Sequence, residues 1–364
     1  MSVIIGAYVA AMMCIHAAKF LSKKSRQLSV LMLLVAWVIL SCVVGFRSWE
    51  VGIDSNQYAA QFSVFNIKQL TLRDYLAPGY TLLQFLLRLI GFNQYQYLFL
   101  VMAALTFYFL LVAIWRQSKM PSLTLFILLC FGNPLEAANQ YRQFLSLCII
   151  FFAMQFLDKD KYLEFYLLIF VASSFHISAL ICLLIPFFSK KKHNSLSVIT
   201  KIMLSLPFFY LAIPIFKFVM NRIPYVQNYV GSQFDTATSM DNVFAFLFRL
   251  LILVWVLNYQ RNKENVSSPS LGALEYGIVV QSLAVSLPVL SRLPFYGVQF
   301  ASLLIPDCLY ERDKRKSDST YASLFFLIVL FLIYFIILYF QKDYQLIDYS
   351  FYWQAPSDPT AILF

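Results

Sequence analysis

Arginine is well matched to phosphate, because its planar fork meets two oxygens at once and keeps its charge. Arg142 stands in Asn139-Gln140-Tyr141-Arg142-Gln143, immediately before a continuous apolar run, and Arg292 stands in SLPVLSRLPFYGVQF, at the turn between two apolar runs. Arg47 opens a third such place, FRSWEVGIDSNQY (46–58), with Glu50 and Asp54 a few residues on. Two arginines at one depth are more telling than one, since a diphosphate carries more than one negative charge. The competing role for each is an anchor on headgroup phosphate. His176, in SSFHIS, is one of three histidines and could act as a base or hydrogen-bond donor near neutral pH; a lone histidine is as often structural. Asp54 and Glu50 supply carboxylates that could deprotonate or bind a sugar hydroxyl, against the alternative of a solvated loop paired with Arg47 or Arg73. Trp49, Tyr58, Tyr75 and Tyr80 offer flat faces that suit pyranose rings and equally suit an interfacial aromatic belt.

The chain that must position these groups is 60% hydrophobic and 13% charged, with mean hydropathy +0.70 over 364 residues. That leaves too little charged surface for a water-soluble domain, and several apolar runs approach the roughly 20 residues needed to cross a bilayer. The runs rely on Leu, Ile and Phe without alternation, which argues for helices and against a β-barrel. The fold class is therefore an all-α polytopic membrane protein. The net charge of +10 does not form one patch: sixteen of the 28 Lys and Arg fall in six short loops, at 23–26, 116–119, 159–161, 190–192, 261–263 and 312–316. Spaced between apolar runs, they mark cytoplasmic loops and argue against nucleic acid as a partner. Cys14, Cys42, Cys130, Cys148, Cys182 and Cys308 lie in or beside apolar runs without CxxC spacing, so buried free thiols are expected, with no zinc site. No charged segment precedes the first apolar run, so 3–20 is expected to be a span and not a cleaved signal peptide.

Placing the basic loops inside fixes the rest. Spans are expected at 3–20, 28–45, 98–115, 122–132, 141–157, 162–173, 177–188, 196–218, 243–259, 271–290, 294–310 and 321–340, about twelve in all, with both ends outside. The turn signal Gly132-Asn133-Pro134 breaks the fourth from the fifth. Segment 80–91 is short and carries Gln84 and Arg88; as a span it would put every later basic loop outside, so it is expected to be a re-entrant or interfacial helix at the outer face. Outer loops are 47–76 and 221–242, and residues 1–364 form one membrane domain without internal repeats. In this arrangement Arg47, Glu50, Asp54, Arg88, Arg142, His176 and Arg292 all fall at the outer ends of helices or in outer loops. Ionisable groups at membrane depth are costly, and their convergence on one face is the main sequence signal for a site.

Several weaker patterns are set aside. Asp158-Lys159-Asp160 has DxD form but sits in an inner turn, and the sequon Asn265-Val266-Ser267 is also on the inner side. There is no P-loop, GxGxxG, HExxH or GxSxG, so no nucleotide cofactor is expected.

The blocks FRSWEVGIDSNQY, APGYTLLQFLLRLIG (77–91), NQYRQFLSL (139–147), KYLEFYLLIFVASSFHISALICLL (161–184) and SRLPFYGVQFASLLIP (291–306) resemble, in order, those of the EpsG-like, Wzy-type polysaccharide polymerases. Here Ala77 stands where a glutamate often precedes the proline. The resemblance implies a GT-C-like polymerase architecture in the bacterial cytoplasmic membrane. It also implies joining of undecaprenyl-diphosphate-linked oligosaccharides, such as O-antigen or exopolysaccharide repeats, at the outer face, with undecaprenyl diphosphate as leaving group and no cofactor. Arg142 and Arg292 would then clamp the diphosphate with Arg47 as a third cation. Asp54, or else His176, would be the base, and Asp54 is preferred because a carboxylate stays ionised beside arginines. Glu50, Tyr58, Tyr80, Arg88, Gln140 and Tyr141 would line the substrate. The partners implied are the lipid-linked oligosaccharide, the bilayer and a chain-length regulator. Rival readings are a flippase or transporter of lipid-linked sugar, which would want a polar path through the midplane, a glycan ligase using the same donor, and a membrane acyltransferase.

Overall fold

The computed structural model describes residues 2–189, 195–222, 240–260, 268–287, 290–313, 328–336 and 349–354. The basic clusters at 190–192, 261–263 and 314–316, most of the expected outer loop 221–242, the sequon at 265–267 and much of the last expected span lie outside the described residues. The described chain is helical, and its β-structure is one isolated antiparallel bridge between Arg47 and Phe351. The chain divides into two compact units: Met1–Phe156 with Lys161–Leu180 and Leu309–Phe364, and Leu157–Asp160 with Ile181–Cys308.

The first unit begins with two apolar helices, α1 (Ser2–Leu21) and α2 (Arg26–Gly45), packed side by side. Ser25 caps α2 by accepting from the Leu28 amide, as expected of a short polar side chain before an apolar run. Short helices α3 (Ile53–Ser63), α4 (Leu72–Tyr75) and α5 (Pro78–Leu89) follow. Then comes α6 (Tyr95–Gln117), which packs on α2 and accepts a bond from the Trp37 indole at the Ala104 carbonyl, 2.8 Å. Segment 80–91 thus forms most of α5, whose twelve residues cover only about 18 Å. Next are α7 (Pro121–Cys130), α8 (Asn133–Asn139), α9 (Tyr141–Leu157) and α10 (Tyr162–Phe175). Gly132 turns the chain between α7 and α8 in the left-handed region, φ 82°. The Ser146 hydroxyl donates to the Ala172 carbonyl at 2.7 Å and ties α9 to α10.

In the second unit, residues Ile181 onward finish a 3-10 stretch (Ile177–Leu184) and run into α11 (Ile185–Ser189). Then come α12 (Ser195–Met220), α13 (Met240–Gln260), α14 (Pro269–Ser286), the one-turn α15 (Phe295–Val298) and α16 (Ala301–Asp313), whose last residues belong to the first unit. Helix α14 is the hub: α11, α12, α13 and α15 all pack on it. The second arm of the expected 162–188 hairpin departs from an α-helix for eight residues. Pro186 lacks the amide that a continuous α-helix would need there.

Among the described residues four helices are long and apolar enough to cross a membrane: Ser2–Leu21, Arg26–Gly45, Tyr95–Gln117 and Asn242–Tyr259. Five shorter apolar helices accompany them. Large apolar side chains such as Met13, Leu31, Leu34, Phe170 and Leu211 face outward, an exposed apolar surface compatible with a multi-pass membrane protein.

Candidate active site

The first unit folds four distant blocks against one another: the start of α3, the α4–α5 corner, the α8–α9 break and the end of α10. Gly52 makes this possible at the first of them. Its φ is +96°, and a Cβ there would meet the Ala138 carbonyl at 3.1 Å and the Asn139 Cα at 3.2 Å. Only glycine takes that conformation without strain and lets two backbones approach so closely. The chain then bonds across the gap. The Asp54 amide donates to Asn139 Oδ1 at 2.8 Å, and the Ser55 hydroxyl donates to the Ala138 carbonyl at 2.9 Å. Asn139 therefore satisfies an orphan amide of α3 from another helix.

Around this junction the aromatic residues gather. Tyr58 and Tyr141 have ring centroids 4.4 Å apart, and the Tyr80 and Tyr141 hydroxyls are 2.6 Å apart. The Arg73 guanidinium lies 5.4 Å from the Tyr58 ring and that of Arg142 lies 4.5 Å from the Tyr80 ring, both within cation–π range. Burial pushes the Tyr80 phenol up to about 12, although Arg142 and the bond to Tyr141 act the other way. At neutral pH the phenol is therefore neutral. Arg142 Nε donates to the Phe175 carbonyl at 3.3 Å, which brings Arg142 beside His176. His176 ends α10, half-buried, with Nδ1 2.6 Å from the Ser178 hydroxyl.

The arginines fall into two groups. Arg47 is fully buried: it donates to the Val44 carbonyl at 2.6 Å and to Ser55 Oγ at 3.2 Å, with its guanidinium 4.3 Å from the Phe99 ring. Burial pulls it down to about 10, which leaves it cationic at neutral pH. Arg88 donates to the Phe62 carbonyl, to that of Ser63 at 2.7 Å, and to Asn93, and so closes the C-terminal end of α3. Both of these guanidiniums are committed to the protein's own backbone. Arg142 is different: among the described residues its two terminal nitrogens take no hydrogen-bond partner. Gln140, 5% exposed in the break before α9, likewise keeps Oε1 without a partner.

Of the residues expected from sequence, the structure thus brings together Asp54, Tyr58, Tyr80, Gln140, Tyr141, Arg142 and His176. Glu50 is exposed on the loop before α3; Arg47 reaches the junction from within, bonded to Ser55 with its guanidinium 5.8 Å from the Tyr141 ring, and Arg88 sits at the C-terminal end of α3, both as internal supports. Arg292 is exposed on the turn before α15 in the second unit. Sequence reasoning gave Arg73 only as a pairing partner for the loop carboxylates and gave no role to Asn139 or the buried Glu136. It also passed over Arg249, which lies buried in the middle of a candidate span. The signal for Arg249 was present, since one cation inside an apolar run is a functional-site flag by itself. Among the described residues no group of three His, Cys, Asp or Glu side chains could hold a metal ion.

The model of the EpsG family matches residues 30–351. The chain belongs to the EpsG family. Its match runs through every block that folds into this junction, from the α2 span past Arg292, in agreement with the resemblance in the sequence blocks. No curated protein and no solved structure matches this EpsG-family chain.

Proposed function

We propose that this EpsG-family protein is a membrane polysaccharide polymerase. It joins oligosaccharide repeats carried on undecaprenyl diphosphate at the outer face of the bacterial cytoplasmic membrane, within a GT-C-like architecture. A hydroxyl of the incoming repeat attacks the anomeric carbon of the growing chain. The new glycosidic C–O bond forms as the bond to diphosphate breaks, undecaprenyl diphosphate leaves, and the hydroxyl proton passes to a carboxylate or imidazole. The leaving group is already activated, so no nucleotide enters the step.

The observation that carries this reading is the guanidinium of Arg142. It is braced on the Tyr80 ring and the Phe175 carbonyl, with its fork unspent, beside His176 and three residues after the Asn139 that holds the start of α3. Such a group is preorganised for charge that develops on a diphosphate oxygen as the bond breaks. Asp54, half-buried in the first turn of α3, is the proposed base, with His176 as the alternative. Tyr58, Tyr80 and Tyr141 give the sugar-facing wall, and Gln140 Oε1 accepts from a substrate hydroxyl. Arg292 is proposed as a second diphosphate cation on the strength of its sequence setting.

The test is a purified-protein assay with a lipid-diphosphate repeat unit. A ladder of oligomers supports the polymerase; a single transfer to a different acceptor means a ligase, and movement without a new bond means a flippase. Either of the last two results ends this reading.

A further inference from the structure

Arg249 sits in the middle of the candidate span Asn242–Tyr259, and no described acidic side chain neutralises it. It is 3% exposed. One terminal nitrogen donates to Gln281 Oε1, the guanidinium carbon lies 4.8 Å from the Phe295 ring centroid, and Nε has no partner. Gln281 is itself fully buried, its amide 3.4 Å from the Asn242 carbonyl. The same unit also shows the ordinary solution: Lys201 pairs at 2.9 Å with the buried Glu275. An amide oxygen and a ring face offset a full positive charge only in part, and an uncompensated charge among apolar helices is expensive to keep. It persists where a ligand brings the missing negative charge.

The surroundings indicate where such a ligand meets the chain. Phe295, under the guanidinium, opens the one-turn helix α15. That turn is pressed onto α14 at Gly277 and Gly297: a Cβ on Gly277 would stand 2.6 Å from the Val298 amide. Arg292 lies three residues before Phe295, no more than about 11 Å away along the chain. A buried cation and an exposed one are therefore carried to the same corner of the second unit.

We propose that Arg249, supported by Gln281, is the inner cation of a phosphate-binding site in the second unit, and that its ligand is the diphosphate of a prenyl-linked lipid. The choice of that lipid rests on the polymerase reading. The shared chemistry is a phosphate oxyanion, which bulk phospholipid also carries, so the test separates the two sources.

Thermal unfolding of the full-length protein in nanodiscs would be followed with farnesyl diphosphate, with farnesol and with added phosphatidylglycerol. The diphosphate should raise the melting temperature of the wild type, and farnesol and phosphatidylglycerol should not. R249Q should need at least tenfold more diphosphate for the same shift, while its ligand-free melting temperature equals or exceeds that of the wild type, because an unbalanced charge has gone. R249K, which keeps the charge and loses the fork, should fall between. An undiminished shift in R249Q would overturn the proposal, as would an equal shift from phosphatidylglycerol or failure of both variants to fold. If no oligomer ladder forms yet the Arg249-dependent shift persists, the polymerase reading fails and the phosphate site stands. A ladder with an unchanged shift in R249Q gives the reverse.

Discussion

Arg142, Arg88 and Arg47 are chemically the same side chain given different work. Arg88 caps α3 through two backbone carbonyls, and Arg47 joins Val44 to Ser55 inside the fold. Only the first of the three leaves its fork open. R142A should therefore lower turnover per folded molecule about 10²–10³-fold, the usual cost of one preorganised charge donor, well beyond the stability lost with the Phe175 bond and the Tyr80 contact. R142K should recover only a small part, because an ammonium cannot make the paired contact. R88A should do the opposite: it gives up charge-assisted bonds worth about 1.5–3 kcal/mol each, so thermal stability falls while turnover per folded molecule holds. Initial polymerisation rates and unfolding curves on the same preparations check both, and a large turnover loss in R88A with full stability would contradict the division. The sequence made all three arginines visible but could not distinguish them, because whether a guanidinium is spent on carbonyls depends on which backbone ends fold beside it.

At the scale of elements, the junction between α3 and the α8–α9 break depends on backbone closeness as much as on side chains. Gly52 and Gly91 both have positive φ, +96° and +86°, but a Cβ on Gly91 would meet nothing within 4 Å. Each change to alanine should cost about 1–3 kcal/mol of conformational strain. G52A alone should also push Asp54 from Asn139 and cut the polymerisation rate at least tenfold, whereas G91A lowers stability and leaves the rate intact. A second tie lies at the other end of the described chain. The Ser48 amide donates to the Ser350 carbonyl at 2.8 Å, the Tyr352 amide to that of Phe46 at 2.9 Å, and the Tyr349 hydroxyl to that of Val43 at 2.5 Å. Ending the chain before residue 349 removes all three, so the truncated protein should unfold several degrees lower and lose activity with it; unchanged melting would show the strap to be dispensable. The helices themselves were largely legible. The break at Gly132, the start of α9 at Tyr141 and the shortness of 80–91 follow from turn chemistry and from where apolar runs stop. The short α8 and the 3-10 stretch were not, since neither has a period long enough to read. The meeting of α3 with α8 was hidden as well, because it rests on Gly52 and Asn139, eighty-seven residues apart in sequence.

For the whole molecule, the side of the membrane that carries the site turns on how residues 121–139 cross. Alone, the ten residues of α7 cover about 15 Å, half of a hydrocarbon core. If α7 and α8 together cross as one broken helix, residues 121–139 cover about 28 Å, and the Gln140 break before α9 falls at the membrane surface. Then α6, the α7–α8 pair and α9 make an odd number of crossings between α3 and the Asp158–Lys161 turn. The two places lie on opposite sides, with the lysines inside as charge bias requires. If α7 does not cross, the count is even, both places share a side, and the basic loops no longer agree among themselves. Gln57 and Lys159 are both exposed, and the six native cysteines are buried or half-buried, so single cysteines at these two positions can be read against a low background. In intact cells a membrane-impermeant maleimide should label Q57C at once and K159C only after the membrane is opened. Labelling of both from outside would mean that 121–139 is a surface element and would set α3 and the start of α9 on different sides, and labelling of K159C alone would turn the molecule over; either result would break the proposed outer-face site at α3 and α9.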